Sequence, residues 1–173
     1  MRIKNRFVAA LIVAAAAVSM PVVARNAAGA GAAGGVDAIE LAVKGRANAN
    51  PSIAAAGQFV AVVWGASAKD GPTDVFVAVS RDAGRSFGGP VRVNDAMGEA
   101  RLSGEQPPRV SLVPRTGRDP SVVVVWTSKA ASGTRLLHAR SDDSGKSFGR
   151  AAPVQSGDAA GNRGWESVAT DRD

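Results

Sequence analysis

Two octapeptides 61 residues apart follow one pattern. They read Ser80-Arg81-Asp82-Ala83-Gly84-Arg85-Ser86-Phe87 and Ser141-Asp142-Asp143-Ser144-Gly145-Lys146-Ser147-Phe148. Upstream of them, Val62-Val63-Trp64 stands opposite Val124-Val125-Trp126, at an offset of 62. Earlier still, Pro51-Ser52-Ile53 stands opposite Pro108-Arg109-Val110, and a third start appears at Glu166-Ser167-Val168-Ala169. A chain built from such a unit must stack copies of one supersecondary element, because a single copy cannot bury its own apolar face.

The unit consists of short strands. Phe59 to Trp64, Asp74 to Val79 and Pro90 to Val93 form one set; Val122 to Trp126, Arg135 to Arg140 and Pro153 to Gln155 form the second. β-branched residues dominate these runs, and Gly, Pro, Asp and Ser separate them. Several runs are apolar at every position, which is the pattern of strands covered on both faces. Antiparallel four-stranded units are therefore expected over about 50–95 and 107–156, with the start of a third at about 164–173. Asp37 to Val43 is expected to supply an outer strand.

Within each octapeptide the residue types suit a tight turn. Asp82 and Asp143 can accept hydrogen bonds from turn N–H groups, and Ser80 and Ser141 can do so more weakly. Gly84 and Gly145 permit positive φ. Phe87 and Phe148 can anchor the turn in apolar surface.

These octapeptides resemble the Asp-box, Ser-x-Asp-x-Gly-x-Thr/Ser-Trp/Phe, of sialidase-like β-propellers. The resemblance covers roughly Asn50 to Asp173. It implies an all-β fold, a partial β-propeller of about two four-stranded antiparallel blades plus the start of a third. It gives the box residues structural roles, on the side of the propeller away from the substrate. It also implies a secreted glycoside hydrolase of the exo-α-sialidase kind, present as an N-terminal fragment. The partners would be a glycan or glycoconjugate substrate and the remaining blades of the same full-length protein. The alternative is a non-catalytic propeller that binds glycans or protein partners at the cell envelope.

The family's chemistry uses three Arg for the substrate carboxylate, a Tyr nucleophile assisted by Glu, and an Asp acid/base. Here the first inner strand reads Asn50-Pro51-Ser52-Ile53, without the family's Arg-Ile-Pro. The acid/base position is offered only by Asp70, a few residues late, and the chain has no Tyr. This chain alone is therefore expected not to hydrolyse a sialoside. Blade geometry places the segments 66–73, 95–107, 128–134 and 156–165 on the end opposite the boxes. They hold Asp70, Glu99, Arg101, Glu105, Asp158 and Arg163, with Arg109 and Glu166 at adjoining strand starts. Asp70 is the catalytic candidate, and Arg101, Glu105, Arg109 and Arg163 are the substrate-binding candidates.

Composition narrows the alternatives. The absence of Cys excludes disulfides and thiolate metal sites, and a single His, His138, cannot build a multi-histidine centre. Its alignment with Val77 marks His138 as a packed strand residue. Gly145-Lys146-Ser147 is not a phosphate loop, since Arg140 occupies the position of the required first Gly. Asp142-Asp143 lacks the further oxygen ligands of an EF-hand loop. No cofactor or metal is expected.

Residues 1–24 read as a signal peptide: Arg2, Lys4 and Arg6, an apolar run from Phe7 to Val18, then Pro21 and a small-residue site ending at Ala24. An Ala/Gly-rich linker follows at 25–36, and residues 37–173 form the fold. Cleavage would lower the formal charge from +6 to +3, too diffuse for a nucleic-acid partner. The expected location is secreted, periplasmic or at the cell envelope, with no stable membrane insertion.

Overall fold

The computed structural model describes residues 38–69, 71–130, 133–155 and 166–170, with Ala130 described in its backbone only. The expected signal peptide and linker lie outside these residues. Among them no helix is long and apolar enough to cross a membrane.

The chain is all-β and forms two four-stranded antiparallel sheets of the same order. The first sheet runs β1 (Ala47–Ala56), β2 (Phe59–Ser67), β3 (Thr73–Ser80) and β4 (Val91–Arg92). The second runs β5 (Arg109–Val113), β6 (Ser121–Ala130), β7 (Gly133–Ser141) and β8 (Ala152–Pro153). Within each sheet every strand pairs with the next in sequence, as short connections favour. The registers repeat as well: Val63 pairs Val77 and Val77 pairs Val91, while Val125 pairs His138 and His138 pairs Ala152. His138 is thus a half-buried strand residue in the place of Val77.

Side-chain alternation fixes how the sheets meet. Phe59, Ala61, Val63, Val75 and Val77 share one buried cluster with Val122, Val124, Trp126, Leu137 and Ala139 of the second sheet. Each fully buried Val contributes about 1.5–3 kcal/mol relative to exposure. The opposite face of the first sheet carries Trp64, Ala66, Phe76 and Ala78, which pack with Leu41, Val43 and Phe87. Trp64 and Trp126 are repeat partners, so each sheet turns its tryptophan face the same way. The first meets the Leu41–Val43 segment, and the second meets the first sheet.

Two segments differ from the strand pattern expected. Residues 38–43 are irregular, and the chain is held there by Asn48, whose Oδ1 accepts from Val43 N–H at 2.8 Å. Residues 166–170 are likewise not a strand. They follow β5 through side-chain bonds: Arg109 Nε donates to Glu166 O at 2.9 Å, and Thr170 Oγ1 donates to Leu112 O at 2.9 Å. In both cases side chains satisfy backbone groups that a ladder would otherwise pair.

Candidate functional site

The strand directions put the two octapeptide turns at one end of the sheets and the described parts of the predicted site segments 66–73, 95–107 and 128–134 at the other; the segment 156–165 lies outside the described residues. β3 leaves from Thr73 and ends at Ser80, and β7 leaves from Gly133 and ends at Ser141.

At the turn end the two octapeptides make equivalent bonds. Ser80 Oγ donates to Asp82 Oδ1 at 2.6 Å and accepts from Gly84 N–H at 2.8 Å. Asp82 accepts from Ser86 N–H at 2.8 Å and from Ser86 Oγ at 2.5 Å. In the second copy Ser141 Oγ donates to Asp143 at 2.7 Å and accepts from Gly145 N–H at 2.7 Å. Asp143 accepts from Ser147 N–H at 2.9 Å and Ser147 Oγ at 2.5 Å. The backbone turns through φ 59 and 85 at Ala83-Gly84, and through φ 62 and 87 at Ser144-Gly145. Phe87 and Phe148 are half-buried and pack on the apolar clusters. Bonds from Ser80 and then from Ser86 hold the Asp82 carboxyl well below the usual range. Burial works against ionisation of Asp143, yet bonds from Ser147 and Ser141 outweigh it and lower that group too.

The opposite end is built around Asp74, fully buried at the start of β3. Burial alone would raise its pKa. Bonds from Gly98 N–H at 2.6 Å, Asn94 Nδ2 at 2.8 Å and Arg46 Nη1 at 2.6 Å reverse this and lower it. Asn94, also buried, accepts from Val75 N–H at 2.7 Å and so extends the ladder past the end of β4. Gly98 is required where it stands: its φ is +70, and a Cβ there would lie 1.9 Å from Pro72 Cβ.

From Gly98 the chain crosses between the sheets. Ala100 forms single bridges to Thr73 of β3 and Ser128 of β6. Ala100 N–H donates to Thr73 O at 3.2 Å, Arg101 N–H to Thr127 O at 2.8 Å, and Lys129 N–H to Glu99 O at 2.9 Å. Burial and the nearby Asp95 charge raise the pKa of Glu99, against the opposing pull of Arg135 and Ser128.

Of the sequence-predicted residues, Arg101 is exposed just beyond this crossing. Glu105 is exposed on the small turn where Gln106 N–H bonds Ser103 O at 3.1 Å. Arg109 is half-buried and tied to the Glu166 carbonyl. Among the described residues these three share no hydrogen bond or ion pair. Asp70, Asp158 and Arg163 lie outside the described residues. Both carboxylate oxygens of Glu166 are buried and lack a hydrogen-bond partner among the described residues. A cavity of about 420 Å³ opens between β1, β5 and residues 168–170, lined by Ala54, Ala56, Val110 and Leu112 among others. Among the described residues no cluster of three His, Cys, Asp or Glu side chains is placed to hold a metal ion.

Arg46, Asp74, Asn94, Ser128 and Arg135 escaped the sequence-based choice of site residues. Asp74 carried one signal: a carboxylate opening an apolar strand must be paired if it is buried. Arg46 and Asn94 carry no such mark, since their role arises from chain distances of 28 and 20 residues to Asp74. The chain matches no family model, no curated protein and no solved structure.

Proposed function

We propose that the chain forms two neighbouring blades of a sialidase-like β-propeller, of the exo-α-sialidase glycoside hydrolase kind, and engages glycoconjugates with the end away from the octapeptide turns. One observation carries the reading. The two octapeptides repeat the same hydrogen bonds in the same place on two sheets of the same order, and the sheets stack in one direction. That is how consecutive propeller blades relate. The inner strands β1 and β5 and residues 168–170 then line one open cavity in sequence order, as strands around a propeller axis do. In this reading the octapeptides are Asp-boxes with structural roles, and residues 1–24 export the chain.

The chain's own part is recognition. A retaining sialidase takes its nucleophile from Tyr, and none of the 173 residues is Tyr. Arg101 and Arg109 are the donors for an anionic sugar, because guanidinium bonds carboxylate in a planar, bidentate way. The non-catalytic propeller is the second reading, favoured by the exposed, separate placement of Arg101 and Glu105.

The test is a titration of the purified chain with sialyllactose, followed by NMR, beside a fluorogenic sialoside assay. Saturable binding with Kd of about 1 mM or tighter, weakened at least tenfold by Arg101→Ala or Arg109→Ala, is the expected result. No aglycone release should accompany it. Absence of binding to any sialylated or neutral glycan rejects the recognition face. Turnover that disappears in Asp70→Ala rejects the division of roles and makes this chain a catalyst.

A further inference from the structure

The crossing at residues 98–101 joins the two sheets by three backbone hydrogen bonds, and the side chain in its middle is poorly satisfied. An ionised carboxylate offers about four acceptor sites. Glu99 Oε1 is buried and has no hydrogen-bond partner among the described residues. Among the described residues its Oε2 receives only a long contact from Ser128 Oγ, at 3.5 Å, and that hydroxyl also leans on Lys129 O at 3.4 Å. The charged groups around it do not repair this. Asp95 of the same connection repels it. So does Asp74 from β3, although Asp74 is itself paired with Arg46. Arg135 of β7 attracts it, yet Arg135 Nε is buried and also lacks a partner among the described residues. Lys129 of β6 is exposed.

A carboxylic acid suits this place better than a carboxylate, since neutral groups lose far less on desolvation. The same residue supplies the carbonyl that Lys129 N–H bonds, and its neighbours supply the other two bridging bonds. We propose that residues 98–101 act as a proton-operated latch, holding β3 to β6 while the Glu99 carboxyl is neutral and loosening when it releases its proton to water. Arg101, bonded through its N–H to Thr127 O, moves with the latch, so proton release changes where this exposed cation sits at this end of the molecule.

The direction of the pH effect follows from linkage. Glu99 is harder to ionise in the folded chain than in the unfolded one. The folded chain therefore keeps this proton to higher pH. The latch is complete below the ordinary Glu value of 4.5, and it weakens as pH rises through the raised folded value. This inference is independent of what the surface binds.

Amide hydrogen exchange, corrected for the intrinsic pH dependence, reads the latch at the N–H groups of Ala100, Arg101 and Lys129. The Gly84 and Gly145 amides serve as references at the other end. Between about pH 4 and about pH 8 the three latch amides should lose roughly tenfold in protection while the references hold. In Glu99→Gln, which keeps the shape and removes the charge, the loss should vanish. NMR titration of the Glu99 carboxyl in the unmodified chain should give a midpoint above 4.5. The proposal is overturned by flat protection in the unmodified chain, by an equal loss in Glu99→Gln, or by parallel loss at the reference amides, which would mean global unfolding. If Glu99→Gln does not fold, the titration decides: a midpoint at or below 4.5 also overturns it.

Discussion

The two octapeptide turns differ in what surrounds them. The first projects into solvent: Ala83 is exposed, and the nearest atom to a Cβ built on Gly84 is Phe87 Cε2, at 4.0 Å. The second is wedged against the first sheet. Ser144 is only 5% exposed, and a Cβ on Gly145 would stand 2.7 Å from Val79 Cγ1. Arg81 of the first turn donates to Ser144 O at 3.3 Å, and Arg115 donates to Ser144 Oγ at 2.8 Å and to Asp142 O. The same local chemistry thus serves a turn with a solvent-facing tip in one place and a turn packed against the neighbouring sheet in the other. The octapeptide sets the turn; the neighbouring sheet sets what it costs to change it.

The largest effect that separates them is at glycine. Gly84→Ala has only the positive φ to overcome, and should destabilise by about 1 kcal/mol. Gly145→Ala adds a collision with a β-branched side chain that has little rotamer freedom, and should cost about 2–4 kcal/mol in all. Denaturant unfolding of both variants measures the gap. Equal losses would mean that the second turn is not packed against Val79.

A smaller gap is expected at arginine. Arg115 is half-buried, and its guanidinium reaches Asp119 O at 2.8 Å as well as the second turn. Arg115→Ala should cost about 1–2 kcal/mol, since the buried Ser144 hydroxyl and two turn carbonyls lose their donor. Arg85 is exposed and makes one long contact, 3.4 Å, to Asp82 O. Arg85→Ala should stay within about 0.5 kcal/mol of the unmodified chain. A loss at Arg85 as large as that at Arg115 would show that the exposed Arg85 side chain braces its turn as Arg115 braces the second.

This contrast explains which parts of the molecule were legible in the sequence. The turns were, because the Ser and Asp side-chain bonds that shape each one run within its own octapeptide. The central strands were too: Phe59 to Trp64 grew only to Phe59–Ser67, and Val122 to Trp126 to Ser121–Ala130. β1 was mostly hidden. Ala47–Ala56 has a single β-branched residue, Ile53, and it continues through a bulge where Asn50 takes φ 57. Its pairing comes from β2, not from its own propensity. The strands expected at 37–43 and 166–169 showed the opposite error: apolar residues were present at 38–43 and 166–169, but side chains took the place of a ladder. The crossing at Glu99–Arg101 had no apolar run to announce it. Its strand-like bonds exist because Asp74 captures Gly98 N–H and delivers the chain to the gap between sheets. A site assembled from residues 46, 74, 94, 99, 128 and 135 has no local pattern to read.

The smallest difference between the turns is expected in acid. Both Asp82 and Asp143 have depressed folded pKa values, so each stabilises the fold above the ordinary Asp value of 3.8 and loses that contribution as pH falls through the folded value. The responsible bonds come from Ser80 and Ser86 in one case, and from Ser147 and Ser141 in the other, all inside the octapeptide. Burial opposes ionisation in both turns and weighs more at the wedged Asp143, yet the donors outweigh it in each. Asp82→Asn and Asp143→Asn each remove a charge that the seryl and backbone donors select. Each should flatten the fall in unfolding midpoint below about pH 4 by a similar amount, while leaving the slope between about pH 5 and pH 8 to Glu99. A midpoint-against-pH series on the two variants checks this. If Asp143→Asn alone flattened the acid limb, the charge at the second turn would be acting on the neighbouring sheet through Arg81 and Arg115, and the turns would differ in their electrostatics as well as in their packing.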